Sequence, residues 1–331
     1  MFDSEAREAG VADYVNHAFS VYSFVSQQQD LSPRNPALNG VLSAFVHETM
    51  RERAPADVAA ILSHPIIQEI APELRRHLGR AEFEMECYCA AAMAGNIPGA
   101  ASHYSDYSGF IYRGNYEALV ESELRAMKWH IKQPPLKPES ESVAFVGAGP
   151  LPISAIMFSQ RTGLPVTCID IDPEACRLGA NLIRHLAATD PLCRDIDKRI
   201  HYVCSSGDAH DYATHPIVFI ASLVDQKDKV LQRIVRTSHT VAMTVVRTAE
   251  GLSTLLYQPE DCIAGQEEYN MYLTGQSKRT ADAINTSLVY KFPPGKWFAR
   301  NKIEFIGATD DVTALRPMGR RRIRTLDARV I

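Results

Sequence analysis

The sequence has few features of a secreted, membrane-bound or nucleic-acid-binding protein. It contains no hydrophobic run near the roughly 20 residues that a membrane span needs. Its first residues, "MFDSEAREAGVADYVNH", are acidic and lack the apolar region of a secretory signal. The net charge is −4 over 331 residues, so general attraction to nucleic acid or to an anionic membrane is not expected. We therefore expect a cytoplasmic protein with a small-molecule partner, and a homodimer is compatible with these features.

Cysteine and arginine are present, but not in patterns that indicate a metal site or a nucleic-acid contact. Seven cysteines, an odd number at scattered positions, suit a reducing compartment better than a disulfide framework. Cys87 and Cys89 are a close pair, but side chains two positions apart on a helix diverge, so no metal site is predicted. The segment "RPMGRRRIR" holds five arginines in nine positions. We predict a basic tail over residues 311–331 that is solvated or lies at an interface.

The residue pattern changes abruptly near residue 138. Residues before it lack strand patterns, and an apolar stripe through "ELRRHLGRAEFEMECYCAAAMAG" indicates a long helix. The proline-rich stretch "KQPPLKPESES" then ends helical structure. We predict a helical N-terminal domain over residues 1–138, which would serve as a lid or substrate domain, and a second domain over residues 139–310.

The second domain alternates short apolar runs with helical segments. The runs "SVAFVG", "PVTCIDID", "RIHYVCSSGD", "PIVFIASLV" and "HTVAMTVVRT" each have the length and composition of a buried strand. Strands that alternate with helices imply crossover connections and a parallel sheet covered by helices. The pattern therefore predicts a doubly wound, Rossmann-like α/β domain.

The first strand leads into a glycine turn, "VAFVGAGPLPISA", that is typical of nucleotide-binding folds. Gly147 and Gly149 allow a ligand to approach the backbone, and Pro152 stands where dinucleotide-binding turns have a third glycine, in what we expect to be the first turn of a helix. Asp170 ends the second strand and suits the ribose hydroxyls, and Asp208 follows the third strand and suits an adenine amine. Together these residues favour S-adenosylmethionine (SAM), which has no phosphates to cradle. The alternative is a turn with two helix-capping aspartates and no ligand.

Several stretches resemble the nicotianamine synthase family. They include the glycine turn itself, "VTCIDIDPEACRLGANLI", "IVFIASLVDQKDKVLQRI" and "VVRTAEGLSTLLYQP". "AEFEMECYCA" is similar to that family's Ala-Glu-Gly-x-x-Glu segment, "FIYRGNYEAL" to its Phe-Pro-Tyr-Tyr-x-Asn-Tyr stretch, and "INTSLVYK" to its closing strand. The resemblance covers roughly residues 70–292.

The resemblance implies that SAM is a substrate and donates its 3-amino-3-carboxypropyl arm to an amine, releasing 5′-methylthioadenosine. Glu86 matches the second acid of the family's helix segment and Tyr112 the first tyrosine of its aromatic stretch; both would face the reacting amine. Glu82 matches the first acid and would support the site. By the same resemblance Gly147 and the other turn and strand-end residues would hold the adenosine.

The tyrosine-rich loop before the linker offers further candidates. Five aromatic rings fall within thirteen positions of this loop, and such rings can hold a sulfonium by cation–π contact and exclude water. Tyr107 is a candidate for the sulfonium, and Arg113 for a substrate carboxylate. Arg113 also replaces the family's second tyrosine, which leaves the acceptor open.

Four functions remain open from the sequence. The first is transfer of the arm to an amine, and the second is attack by SAM's own amine, which would give azetidine-2-carboxylate and methylthioadenosine, as in bacterial azetidine-2-carboxylate synthases. The third is ordinary methyl transfer, and the fourth is a SAM-binding module without catalysis. The pair Glu82 and Glu86 favours an enzyme, since carboxylates can orient an amine and take its proton.

Overall fold

The computed structural model describes residues 2–129, 137–238, 243–259, 271–280 and 283–292. These residues belong to one unit, Met1–Gly295, which includes both the helical segment and the α/β segment. The predicted tail at 311–331 and the end of the predicted 139–310 domain lie outside the described residues, and the division near residue 138 stays a prediction. None of the described helices is both long and apolar enough to cross a bilayer.

The N-terminal segment is helical, as its pattern predicts. Proline opens several of its helices, where the missing N–H costs no hydrogen bond. The apolar faces of the first four helices pack on one another and on the segment around Leu252, in a core that includes Tyr14, Phe45 and Leu74. The helices are α1 (Phe2–Val25), α2 (Pro36–Met50), α3 (Pro55–Leu62), α4 (Pro65–Met93), α5 (Ser102–Ser105) and α6 (Arg113–Ala126).

The rest of the described chain contains a seven-stranded sheet and further helices. The strands are β1 (Val143–Val146), β2 (Val166–Asp170), β3 (Ile200–Cys204), β4 (Ile217–Ile220), β5 (Met243–Thr248), β6 (Tyr272–Gln276) and β7 (Thr286–Lys291). They lie in the order β3-β2-β1-β4-β5-β7-β6 across the sheet. The first five strands are parallel, and β1 lies between β2 and β4 at the point where the strand order reverses. Strands β1 and β4 are buried at every position, which explains their unbroken apolar runs.

The last two strands differ from the predicted parallel sheet. Strand β7 runs antiparallel to both β5 and β6. The sequence of β6, "YLTGQ", gave no strand signal because it is short, half-exposed and interrupted by Gly275. That glycine is required by packing, since a Cβ there would lie 2.2 Å from the Ala126 carbonyl oxygen at the end of α6.

Three further helices connect the strands: α7 (Ile153–Thr162), α8 (Pro173–Thr189) and α9 (Lys227–Thr237). Asp172 caps α8 by accepting hydrogen bonds from the N–H groups of Glu174 and Ala175, at 2.8 and 2.9 Å. The rings of Phe145 and Phe219 stack 4.3 Å apart in the core between β1 and β4. The strands and helices therefore place the carboxyl ends of β1, β2, β4 and β5 along one edge of the sheet, facing α4 and α6.

Candidate active site

A cavity of about 630 Å³ lies beyond this edge of the sheet. Its floor consists of Asp170 at the end of β2 and of the residues that follow four strands: 147–149 after β1, 171–172 after β2, 205–208 after β3 and 221–226 after β4. Glu82 and Glu86 of α4, Tyr116 of α6 and Arg247 of β5 border it as well. Its size is in the range of roughly 300–1,000 Å³ that small-molecule sites occupy.

The glycine turn shapes one wall of the cavity. Gly147 and Gly149 have φ values of +72° and +67°, which side-chain-bearing residues rarely adopt. A Cβ at Gly149 would lie 2.6 Å from Glu86 Oε2, so the turn and α4 meet here without room for a methyl group. Pro152 is the N-cap of α7, one position before the helix rather than in its first turn. The turn therefore sets the backbone directly against the Glu86 carboxylate.

The two strand-end aspartates are both brought to the cavity. Asp170 accepts hydrogen bonds from the N–H groups of Gly149, at 2.8 Å, and Asp172, at 3.0 Å. Each carboxylate oxygen keeps a lone pair for a further donor. Asp208 is exposed and accepts a hydrogen bond from the Ser206 hydroxyl. Both carboxylates can therefore still accept hydrogen bonds from a ligand.

Glu82 and Glu86 lie one turn apart on α4 and border the cavity together. The Tyr257 hydroxyl donates to Glu82 Oε2 at 2.9 Å, and the Tyr116 hydroxyl donates to Glu86 Oε1 at 3.3 Å. By surface area both acids are half-buried, because only the side that borders the cavity is open. The site thus contains two neighbouring carboxyl groups, each held by a tyrosine.

The protonation of these acids is strongly perturbed. Burial raises the pKa of Glu82 to about 7, although the Tyr257 hydrogen bond and the Arg247 charge oppose the shift. Burial is also the main cause that places the pKa of Glu86 well above its ordinary value, and the charges of Glu82 and Asp170 raise it further. The pair therefore takes up a proton more readily than ordinary carboxylates do, as a general base requires.

A buried ion pair supports the far wall of the cavity. Arg247 Nε and Nη2 donate to the two oxygens of Glu123 at 2.9 and 3.1 Å, in a bidentate pair. Arg247 Nη1 also donates to Ser154 Oγ at 3.3 Å, and Ser287 Oγ donates to Glu123 Oε1 at 2.7 Å. These contacts join β5, β7, α6 and α7 behind the cavity.

Negative charge predominates in the cavity lining. Arg247 is already paired with Glu123, which leaves Lys229 as the other basic residue among the described lining residues. A cavity with this balance favours a cationic ligand. The acidic lining residues are Glu82, Glu86, Asp170, Asp172, Asp208 and Asp225.

Three predicted site residues do not line the cavity. Tyr107 is buried in the core, where its hydroxyl donates to Gln160 Oε1 at 3.2 Å. The Arg113 guanidinium lies 4.8 Å from the Tyr107 ring centroid and pairs with Glu117 at 3.0 Å. Tyr112 is the N-cap of α6 and packs edge-on against Phe110.

The tyrosine-rich loop packs on the core of the sheet, and four of its five aromatic rings do not line the cavity. Its buried rings pack with the hydrophobic core of the sheet, since they have more apolar surface to bury there than at a cavity edge. The ring that reaches the site is Tyr116, one helical turn after Tyr112. The start of α6 at Arg113 determines which of these rings faces the acids.

Arg247, Glu123 and Tyr257 were not predicted from the sequence to belong to the site. A signal was present for the first two, because a charged side chain interrupts the buried strand "MTVVRT" and another interrupts the buried face of α6. Tyr257 carried no such signal. Its hydroxyl meets Glu82 across 175 positions of sequence.

Comparison with known proteins agrees with the fold. A protein-family model described as "Nicotianamine synthase protein" matches residues 6–292. The nicotianamine synthase of Solanum lycopersicum is 26% identical over 294 residues, which cover 85% of this chain and 84% of the relative. Nicotianamine synthase 3 of Oryza sativa subsp. indica is 27% identical over 284 residues, which cover 82% of this chain and 76% of the relative.

Solved structures give the same fold. A mutant of MtNAS in complex with S-adenosylmethionine matches with a TM-score of 0.66 at 18% identity, over 85% of this chain and 98% of that one. MtNAS in complex with MTA and tNA matches equally well, with a TM-score of 0.66. The predicted Rossmann-like fold and the resemblance drawn from the sequence are both confirmed. The chain belongs to the nicotianamine synthase family.

Proposed function

We propose that this protein directs an amine onto the γ-carbon of SAM's aminocarboxypropyl arm and releases 5′-methylthioadenosine. As a member of the nicotianamine synthase family it is an enzyme, and SAM is its substrate. The observation that carries the proposal is the contact of Glu86 with the glycine turn, which puts a proton acceptor beside the nucleotide-binding backbone.

Two features of the cavity support SAM as its ligand. Gly147 and Gly149 keep the turn open where a Cβ would strike Val224 or Glu86, so a nucleoside can approach the backbone closely. Asp170 would accept the ribose hydroxyls and Asp208 an adenine amine, as expected from the sequence. The excess of carboxylates in the lining would stabilise the positive sulfonium.

The reaction requires a nucleophile in line with one carbon of the sulfonium. The amine nitrogen would form a bond to the γ-carbon while the bond from that carbon to sulfur breaks and its electron pair stays on sulfur. Methylthioadenosine leaves as a neutral molecule, so the leaving group needs no acid. The nitrogen must lose a proton, and Glu86, held by Tyr116 and with a raised pKa, would accept it.

The experiment is product identification by mass spectrometry after incubation of the purified protein with SAM alone and with SAM plus L-histidine. Methylthioadenosine that forms together with a new amine adduct supports transfer of the arm. Methylthioadenosine with azetidine-2-carboxylate and no adduct would show that SAM cyclises instead of transferring its arm to another amine. S-Adenosylhomocysteine would refute γ-carbon chemistry.

Matched variants test the role of Glu86. Glu86→Gln removes the proton acceptor and should slow the formation of methylthioadenosine by about 100-fold, within the range attributed to general-base catalysis. Glu69→Gln makes the same change at an exposed position of the same helix and should keep the rate. Equal rates in the two variants would remove Glu86 from the mechanism.

A further inference from the structure

Asn285 borders the cavity and carries a buried polar atom that no described residue satisfies. It immediately precedes β7 and lines the cavity with the two acids of α4. Its Oδ1 is fully buried and has no hydrogen-bond partner in the described part of the chain. A buried carbonyl oxygen without a donor is costly, so such an atom in a cavity wall points to a ligand that supplies one.

The strand register shows which side of the sheet Asn285 faces. In the antiparallel pair of β5 and β7, Arg247 lies opposite Ser287 and Thr248 opposite Thr286. Side chains alternate along a strand, so Asn285 is on the same side as Ser287, whose hydroxyl donates to Glu123. Thr286 points the other way and donates to Glu250. Asn285 therefore lies on the side of the sheet that carries the Arg247–Glu123 ion pair.

The groups around Asn285 Oδ1 favour a ligand that donates a hydrogen bond over one that carries a carboxylate. Acidic residues outnumber basic ones in the cavity lining, so a substrate carboxylate placed there would be repelled. An amine is attracted by the same charges and carries N–H groups for both a carboxylate and an amide oxygen. The amide oxygen cannot take a proton, so it can orient an amine but not activate it.

We propose that Asn285 Oδ1 accepts a hydrogen bond from the nucleophilic amine and so orients its lone pair toward the γ-carbon of SAM. This assignment rests on the proposed function. As the bond from nitrogen to carbon forms and the bond from carbon to sulfur breaks, one amine proton passes to Glu86, the other N–H stays bonded to Asn285, and the electron pair remains on sulfur. Asn285 and Glu86 thus together bind the nucleophilic amine, and Glu86 is the base of the two.

The test compares Asn285→Leu with Asn285→Asp. Leucine has nearly the same size but no acceptor, and methylthioadenosine release at saturating SAM should fall by about 10- to 100-fold, which corresponds to one lost hydrogen bond in the transition state. Aspartate keeps an oxygen at the same place and should restore most of that rate. It also adds a charge beside Glu82 and Glu86, so the acidic limb of its pH profile should move to higher pH.

Two controls separate this role from a structural one. Methylthioadenosine lacks the arm and the amine, and its dissociation constant, measured by calorimetry, should be the same for wild type and both variants. Asn16→Leu makes the same substitution at an exposed position of α1 and should change nothing.

The assignment is overturned if Asn285→Leu keeps the wild-type rate, if it weakens methylthioadenosine binding as much as it slows the reaction, or if Asn285→Asp is as slow as Asn285→Leu at every pH. A wild-type protein that releases S-adenosylhomocysteine would instead overturn the proposed function itself, together with this assignment.

Discussion

Replacement of Glu123 by leucine would leave the Arg247 guanidinium buried without its carboxylate. Glu123 is 1% exposed and Arg247 7%, so water cannot take over the lost contacts. The change removes hydrogen bonds of 2.9 and 3.1 Å to Arg247 and one of 2.7 Å from Ser287. Breaking a buried ion pair of this kind costs about 3–5 kcal/mol. We therefore expect Glu123→Leu to lose a large part of a total stability of about 5–15 kcal/mol.

The assay is urea unfolding followed by fluorescence, and the quantity compared is the free energy of unfolding. Glu117→Leu is the matched control, since Glu117 is on the same helix and pairs with Arg113 at 3.0 Å with a side chain that is 40% exposed. Exposed pairs contribute about 0–1 kcal/mol, so this variant should be nearly as stable as wild type.

The double variant Glu123→Leu, Arg247→Met separates the cost of an unpaired charge from the net value of the pair. Replacement of both partners by apolar residues is often neutral, so most of the stability should return. A loss of under about 1 kcal/mol in Glu123→Leu, or a double variant as unstable as the single one, would refute this account of the ion pair.

Three other predictions concern the cavity. Gly149→Ala should weaken SAM binding measured by calorimetry, because it adds about 1–2 kcal/mol of left-handed strain and its methyl group would lie 2.6 Å from Glu86 Oε2. Glu82→Gln should become more stable relative to wild type as pH rises. The pKa of Glu82 is about 7 in the folded protein and about 4.3 in the unfolded chain. Wild type therefore loses stability as pH rises through that interval, whereas the variant, which has no proton to lose there, does not. Tyr116→Phe removes the hydrogen bond that lowers the pKa of Glu86, so the acidic limb of the rate profile should move to higher pH.

Each of these predictions has a control that can contradict it. Gly99→Ala carries the same backbone strain at φ +74° with nothing within 4 Å, so it should not affect SAM binding, and an equal effect would refute the Gly149 contact. A stability difference between wild type and Glu82→Gln that is constant from roughly pH 5 to roughly pH 8 would show that Glu82 titrates normally. Tyr112→Phe should leave the pH profile unchanged. A shift in Tyr112→Phe and none in Tyr116→Phe would mean that Tyr112, and not Tyr116, bonds to Glu86.

The nucleotide-binding half of the fold could be predicted because its signals are local. The buried strand β1, the glycines after it and Asp170 at the end of β2 occur within 28 positions, from Val143 to Asp170, and each follows from strand burial or backbone geometry. The antiparallel β6 and β7 could not be predicted in the same way. Their pairing depends on chain reversal and on the close approach of α6 to Gly275, neither of which has a sequence period.

The acids of α4 could be predicted from the sequence, but the contacts that surround them could not. The one-turn spacing of Glu82 and Glu86 follows from the helix. The choice of Tyr116 rather than Tyr112, and the pairing of Arg247 with Glu123 at a separation of 124 positions, depend on where α6 starts and how it packs. Tertiary contacts of this kind carry no local pattern, so only the structure could assign them.

The most direct test of the central claim follows the methyl group of SAM. The purified protein is incubated with SAM that carries deuterium on the methyl carbon, and the adenosine-containing product is analysed by mass spectrometry. Attack on the γ-carbon leaves the methyl group on sulfur, so the account predicts methylthioadenosine that retains all of the label. S-Adenosylhomocysteine without the label would contradict the account.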